Sequence, residues 1–73
     1  MTIDAAAGAV TVDARGMRCP WPALRLARAM RGAAAATLLA DDPQAEREAA
    51  ALAAEQGWTI APDGPDRWLI RRA

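Results

Sequence analysis

The sequence contains one cysteine and no histidine. A single cysteine allows no internal disulfide, and without histidine the chain cannot build a Cys2His2 zinc site or a cysteine–histidine catalytic pair. We therefore expect no metal and no cofactor. Chemistry at the sulfur of Cys19 would need a second molecule.

The sequence also has no lysine, no excess of either charge and no long apolar run. Nine arginines balance nine acids, whereas proteins that bind nucleic acids or membrane surfaces in general need excess cations. No apolar run reaches roughly 18 residues, and the start, MTIDAAAGAV, lacks the positive charge of a targeting signal. We expect a soluble, cytoplasmic protein in a reducing compartment, with no direct nucleic-acid or membrane partner.

Length and breaker residues predict a single domain over residues 1–73, with residues 1–9 flexible or frayed. In the segment GAVTVDARG, Val10 and Val12 alternate with polar residues and Gly16 follows, which predicts a strand and a turn. A helix follows in PWPALRLARAMRG, with Pro20 as its first residue and an end near Gly32. Its predicted buried stripe contains Ala23, Leu26, Ala27 and Met30.

The second half of the chain continues this alternation. The run AAAATLLADDP is compatible with helix or strand, but its flanking breakers favour a strand. Asp42 then caps a second helix that begins at Pro43 and ends near Gln56, before Gly57. The predicted inward stripe of this helix is mostly alanine: Ala45, Ala49, Leu52 and Ala53.

Two alternating segments, WTIAP and RWLIRR, flank the turn-forming PDGPD and predict a hairpin with Trp58 and Trp68 in the core. The element order is therefore βαβαββ. A helical crossover makes the first two strands parallel, and the hairpin is antiparallel. The predicted fold is an α/β (α+β) two-layer sandwich, in which a mixed four-stranded sheet carries both helices on one face.

Cys19 sits where the first helix begins. If Pro20 is the first helical residue, Cys19 is the N-cap at the positive end of the helix, where a thiolate is favoured, and the N–H of Trp21 is the expected donor to the sulfur. The alternative is that the sulfur fills a gap in the core, as isolated cysteines often do. Because Arg18 precedes, prolines follow and the loop DARGMR is polar, the context favours an accessible, reactive thiol.

The exposed face of this helix combines apolar and basic side chains. At 100° per residue, Trp21, Leu24, Arg25, Arg28 and Arg31 fall opposite the buried stripe. One hypothesis is a partner-binding surface anchored by Trp21, with arginines that attract an acidic partner. In the other, Trp21 folds back over Arg25 and the arginines form a solvated face.

Three more polar residues have two interpretations each. Asp42 is expected to cap the second helix, and its place at the end of a parallel strand also permits a role in the site. Asp13 either fixes the loop before Gly16, which we favour, or lies near the sulfur. Arg18 either stabilises a sulfur anion or points into solvent.

The spacing of Asp13, Gly16, Cys19, Pro20 and Pro22 resembles the D-x-x-G-x-x-C-P-x-P signature of the TusA (SirA-like) family of sulfur carriers. LLADDP also resembles the family's second strand and the start of its second helix, and RWLIRR resembles its last strand, so the likeness runs from about Thr11 to the end. The resemblance implies a βαβαββ sandwich in which Cys19 accepts sulfane sulfur, holds it as a persulfide and passes it on. It implies two partner proteins: a sulfur donor, which is a cysteine desulfurase or a rhodanese, and a sulfur acceptor. We expect the protein itself to be a monomer.

A different class of function also fits the sequence. Cys19 could be a redox-sensitive thiol or a simple cap in a non-catalytic interaction or regulatory module that uses the Trp21/Arg face. RNA binding is disfavoured, since no series of aromatic residues accompanies the arginines and the net charge is zero. A Cys19→Ser variant separates the first two hypotheses, because only the carrier needs the sulfur.

Overall fold

The computed structural model describes residues 8–73. The elements are β1 (Val10–Asp13), α1 (Trp21–Met30), β2 (Ala35–Leu39), α2 (Ala45–Gln56), β3 (Thr59–Pro62) and β4 (Arg67–Arg71). The predicted βαβαββ order is confirmed. Our expectation for residues 1–9 falls mostly outside the described residues.

The four strands form one mixed sheet in the order β1-β2-β4-β3. β1 and β2 are parallel, with Thr11 opposite Thr37. β4 runs antiparallel to both β2 and β3. A parallel pair requires a crossover, which α1 provides, whereas β3 and β4 are joined by the short predicted hairpin.

Alternation along the strands places the buried side chains on one face of the sheet. Val12, Leu38 and Trp68 are aligned across β1, β2 and β4, and all three are buried. Leu26 and Met30 of α1 are fully buried against this face. The two-layer arrangement with both helices on one face is therefore confirmed, and apolar burial is its main source of stability.

The first helix starts later than the sequence predicts. The N-cap is Pro20 and no side chain caps the helix, so the predicted start at Pro20 and the predicted cap by Cys19 are wrong. The N–H of Trp21 donates to the carbonyl of Arg18 at 2.9 Å, not to the sulfur. This bond closes a turn with Cys19 and Pro20 at its centre, and their peptide bond is cis.

The second helix shows the same displacement. Its N-cap is Gln44 rather than Asp42, and the N–H of Ala45 donates to the carbonyl of Asp42 at 3.0 Å. Pro43 lies in the turn between them. The predicted end is confirmed, because Gly57 takes the left-handed conformation with φ +76° that favours glycine.

Not every predicted core residue is buried equally. Trp68 is buried as predicted, whereas Trp58 precedes β3 and is only partly buried at the edge of the core. Val10 was expected beside Val12 but remains 42% exposed. Val10 begins an edge strand, so only β2 adjoins it.

Candidate functional site around Cys19

The starts of both helices lie at the same end of the molecule. Because β1 and β2 are parallel and each leads into a helix packed on one face, α1 and α2 begin at the same edge of the sheet. The loop that carries Cys19 before α1 therefore lies beside the loop that carries Asp41 and Asp42 before α2. This topology assembles the site from segments far apart in sequence.

The two loops are joined by backbone-to-carboxylate hydrogen bonds. Asp41 Oδ1 accepts the N–H of Gly16 at 3.0 Å, and Asp42 Oδ2 accepts the N–H of Cys19 at 3.2 Å. Asp42 Oδ1 also accepts the N–H of Gln44 at 2.7 Å. Asp42 thus connects the cysteine backbone to the turn that opens α2, although it is not the N-cap of that helix.

Gly16 has a conformational reason to be glycine. Its φ is +80°, and a Cβ added there would meet nothing within 4 Å. The demand for glycine is therefore one of backbone conformation rather than space. This turn brings the N–H of Gly16 to Asp41 and leads the chain towards Cys19.

The Cys19 side chain is exposed. Its thiol donates a hydrogen bond to Glu48 Oε1 on α2. This bond raises the pKa of Cys19 above its ordinary value, with desolvation and the negative charges of Glu48 and Asp42 acting in the same direction and Arg47 opposing them. The prediction of a favoured thiolate is wrong: Cys19 is not the N-cap of α1, and the carboxylates of Glu48 and Asp42 raise its pKa.

Asp13 and Arg18 have separate positions in the loop. Both carboxylate oxygens of Asp13 bind Arg15, at 2.9 Å to Nε and 2.8 Å to Nη2. These bonds lower the pKa of Asp13 to about 2. Asp13 therefore holds Arg15 in the loop before Gly16, while Arg18 is exposed and is not among the charges that act on the Cys19 thiol.

Glu48, Asp41 and Arg47 belong to the site but were not identified from the sequence. The available signal was the acidic first turn of α2, which contains Glu46 and Glu48. Once the helices are known to start at one edge, an acid in that turn is expected to approach the residues before α1. Of the residues beyond α1, only Asp42 was considered for a role in the site.

The outward face of α1 exposes two large apolar side chains. Trp21 is 59% and Leu24 52% exposed, and Arg25, Arg28 and Arg31 are exposed around them. Within residues 8–73 the cation–π contact is that of Arg72 over Trp58. The alternative in which Trp21 stacks on Arg25 therefore finds no support.

The site consists of one exposed thiol on a polar loop, held by acidic groups at the edge of a small two-layer fold. Residues 10–71 match the family model described as Sulfurtransferase TusA. Since the match covers nearly the whole chain, the protein belongs to the TusA family of sulfur carriers and sulfurtransferases. Comparison with curated proteins gave no match. No helix among residues 8–73 has the length and apolar character needed to cross a membrane.

Proposed function

We propose that this protein accepts sulfane sulfur as a persulfide on Cys19 and passes it to an acceptor protein. The observation that supports this most strongly is the exposed Cys19 thiol within the segment that matches a sulfurtransferase family. Cys19 is the only cysteine in the chain, and the chain has no histidine. The donor and the acceptor must therefore supply the second sulfur in each transfer.

The transfer consists of two thiol–disulfide-type exchanges. The Cys19 thiolate attacks the terminal sulfur of a persulfide on the donor; the new S–S bond forms as the donor's S–S bond breaks, and its electron pair leaves on the donor cysteine, which takes up a proton. In the second exchange an acceptor thiolate attacks the terminal sulfur on Cys19 and releases Cys19 as thiolate. Neither step needs an external oxidant or reductant.

The surroundings of Cys19 fit a carrier better than an enzyme that acts alone. The loop is held by hydrogen bonds from its backbone to Asp41 and Asp42, so the sulfur has a defined position without being enclosed. Exposure allows two different proteins to reach the same atom. The raised pKa of Cys19 means that the thiolate that attacks the donor forms next to Glu48 only at a cost.

Partner recognition is assigned to the exposed face of α1. Trp21, Leu24, Arg25 and Arg28 lie on this face, and Trp21 begins the helix two residues after Cys19. A large exposed aromatic residue surrounded by arginines is typical of the anchor of an interface. We propose that Trp21 and Leu24 contact the donor or acceptor while the arginines attract its acidic surface.

The test is the intact mass of the purified, reduced protein after incubation with a cysteine desulfurase and cysteine. We expect the wild type to gain one sulfur atom that a reductant removes, and Cys19→Ser to gain none while keeping its circular dichroism spectrum. A parallel incubation with a rhodanese and thiosulfate identifies the class of donor. If neither donor adds sulfur to the wild type, the proposal is wrong.

The exposure of Trp21 and Leu24 also supports the second candidate, an interaction or regulatory module without sulfur transfer. In that case the cellular role depends on the α1 face and survives Cys19→Ser. Complementation of a deletion strain with Cys19→Ser and with Trp21→Ala separates the two. The carrier requires the sulfur, whereas the module requires only the face.

A further inference from the structure

A groove runs between the edge strand β1 and helix α1. It has a volume of about 480 Å³ and is lined by Thr11 and Val12 from β1 and by Arg25, Arg28 and Ala29 from α1. The three helix residues share one side of α1, since they are spaced by three and four positions. An open groove between a sheet edge and a helix is the setting in which extended peptides add as an extra strand.

The backbone of β1 presents hydrogen-bonding groups to this groove. Ala14 directs its N–H to the Leu39 carbonyl of β2 at 2.8 Å. Because successive residues of a strand point their N–H and C=O groups to opposite sides, Val12 and Val10 also face β2, whereas Thr11 and Asp13 face outward. Within residues 8–73, β1 is the end strand of the sheet and pairs only with β2, so the outward N–H of Thr11 has no strand beside it among these residues.

The other edge of the sheet is less suited to pairing. β3 ends at Pro62, which has no N–H to donate, and prolines at sheet edges discourage the addition of strands. β1 contains no proline and no lysine. The outer edge of β1 therefore lacks the proline that hinders strand addition at the outer edge of β3.

The charge of the groove indicates what kind of strand it accepts. Arg25 and Arg28 are exposed. Among residues 8–73 neither guanidinium has a carboxylate within 4.0 Å, and the salt bridge there joins Arg15 to Asp13. The charge of Arg25 does reach Asp13, but that carboxylate is already bound by Arg15. Carboxylates of a bound segment would meet guanidiniums suited to bidentate contacts.

We propose that an extended, acidic segment of a partner protein binds in this groove as a fifth strand, pairing with the outward backbone of Thr11 and placing its carboxylates on Arg25 and Arg28. The added strand lies along α1 and leads to the end of the molecule that carries Cys19. This inference deepens the partner recognition proposed above. It does not require Cys19 to carry sulfur.

The experiment is a titration of ¹⁵N-labelled protein with a blocked hexapeptide of alternating Val and Glu, followed by two-dimensional NMR. We expect saturable shifts of the amides from Gly8 to Asp13 and slower amide exchange at Thr11. The matched peptide of alternating Val and Lys is the charge control and should not bind. Equal binding of both peptides, or shifts that avoid β1, would overturn the proposal.

Two pairs of variants separate backbone pairing from charge. Thr11→Pro removes the outward N–H and should weaken binding by about tenfold, whereas Thr11→Val keeps the N–H and should stay within about twofold. Arg25→Gln and Arg28→Gln should each weaken binding, and Arg71→Gln on β4 should not. If Thr11→Pro does not fold, the arginine variants and Thr11 amide exchange decide the question.

The Cys19→Ser variant keeps this inference independent of sulfur transfer. It should bind the acidic peptide as the wild type does, even though it accepts no sulfur. Sulfur loading with no peptide binding would overturn the groove proposal alone. Peptide binding without sulfur loading would overturn the carrier function alone.

Discussion

At the Cys19 end of the helix layer, exposed carboxylates bind backbone N–H groups, whereas at the opposite end a guanidinium binds backbone carbonyls. Arg72 Nε donates to the Ala33 carbonyl at 3.1 Å, and its Nη2 donates to the carbonyl of Met30, the last residue of α1. The same guanidinium lies 5.8 Å from the centre of the Trp58 ring. One side chain thus joins the end of α1, the turn after it and the edge of the core.

The two sets of polar contacts differ in which side chains they leave accessible to solvent. At the Arg72 end the cation compensates the negative end of α1 and covers an indole, so the contacts close the fold. At the Cys19 end Asp41 and Asp42 hold the loop by its backbone and leave the side chain of Cys19 exposed. We infer that the first end serves stability and the second presents a reactive atom.

Substitution of Trp21 should give the largest change at the Cys19 end without affecting the fold. Trp21→Ala removes an indole that is 59% exposed, so thermal unfolding should hardly change. Loss of an interface anchor typically costs about 2 kcal/mol or more, which corresponds to roughly a thirtyfold rise in KM for sulfur loading from a protein donor. Steady-state loading kinetics measure this, with Arg71→Ala as an exposed control; an unchanged KM would show that Trp21 is no anchor.

Substitution of Arg72 should have the opposite pattern. Arg72→Gln removes two charge-assisted hydrogen bonds to carbonyls and a cation–π contact, and we expect a loss of about 1–2 kcal/mol in the free energy of unfolding. Sulfur loading should be unchanged wherever the variant is folded. Urea denaturation measures the loss, and Arg71→Gln on the same strand end controls for charge; equal stabilities of the two variants would remove the distinction between the two ends.

Substitution of Glu48 should change the pH dependence of the thiol. The Glu48 carboxylate raises the pKa of Cys19 by accepting its hydrogen bond and by its charge. In Glu48→Gln the pKa should therefore fall, and the thiolate should form at lower pH than in the wild type. The rate of alkylation by iodoacetamide as a function of pH reports this directly.

The matched control for Glu48 is Glu46→Gln, which removes an exposed acid from the same helical turn. Its alkylation profile should follow the wild type. Coincident profiles of Glu48→Gln and the wild type would contradict the assigned contact between Glu48 and Cys19.

Substitution of Asp13 should have the smallest effect. Its pKa in the folded protein is lowered to about 2 by Arg15, so the stabilisation is complete above the ordinary pKa of an aspartate and is lost as the pH falls towards about 2. Because the pair is exposed, screening keeps the contribution small. Thermal unfolding of Asp13→Asn and wild type should differ slightly at neutral pH and converge in acid; a difference that persists at the lowest pH would assign Asp13 another role.

β1, β3 and β4 could be predicted from the alternation of apolar and polar residues, whereas β2 was predicted from the breaker residues on either side of it. Both helix starts were predicted too early for one shared reason. A proline after a capping residue suggested a first helical position, but in each case the N–H of Trp21 or Ala45 closes a backbone turn around that proline. A turn that is closed by a backbone hydrogen bond requires no particular side chain, so the sequence does not show where the turn ends and the helix begins.

The surroundings of the sulfur were less predictable than its position. Cys19 could be identified from its own segment, but its contact with Glu48 spans 29 residues and exists only because the two helices start at one edge. Local reasoning therefore gave the wrong direction for the pKa of Cys19. The pKa of Cys19 depends on contacts between two loops that are far apart in sequence. The sheet topology, rather than the motif around Cys19, brings these loops together.

The most direct test of the account compares sulfur content after one identical exposure of wild type, Arg72→Gln and Cys19→Ser to a cysteine desulfurase and cysteine. It is made at a temperature where all three proteins are folded, and intact mass is read before and after reduction. We predict one reducible sulfur on the wild type and on Arg72→Gln, and none on Cys19→Ser. Sulfur on Cys19→Ser, or none on the wild type, would contradict the assignment of the Cys19 end as the sulfur-carrying site.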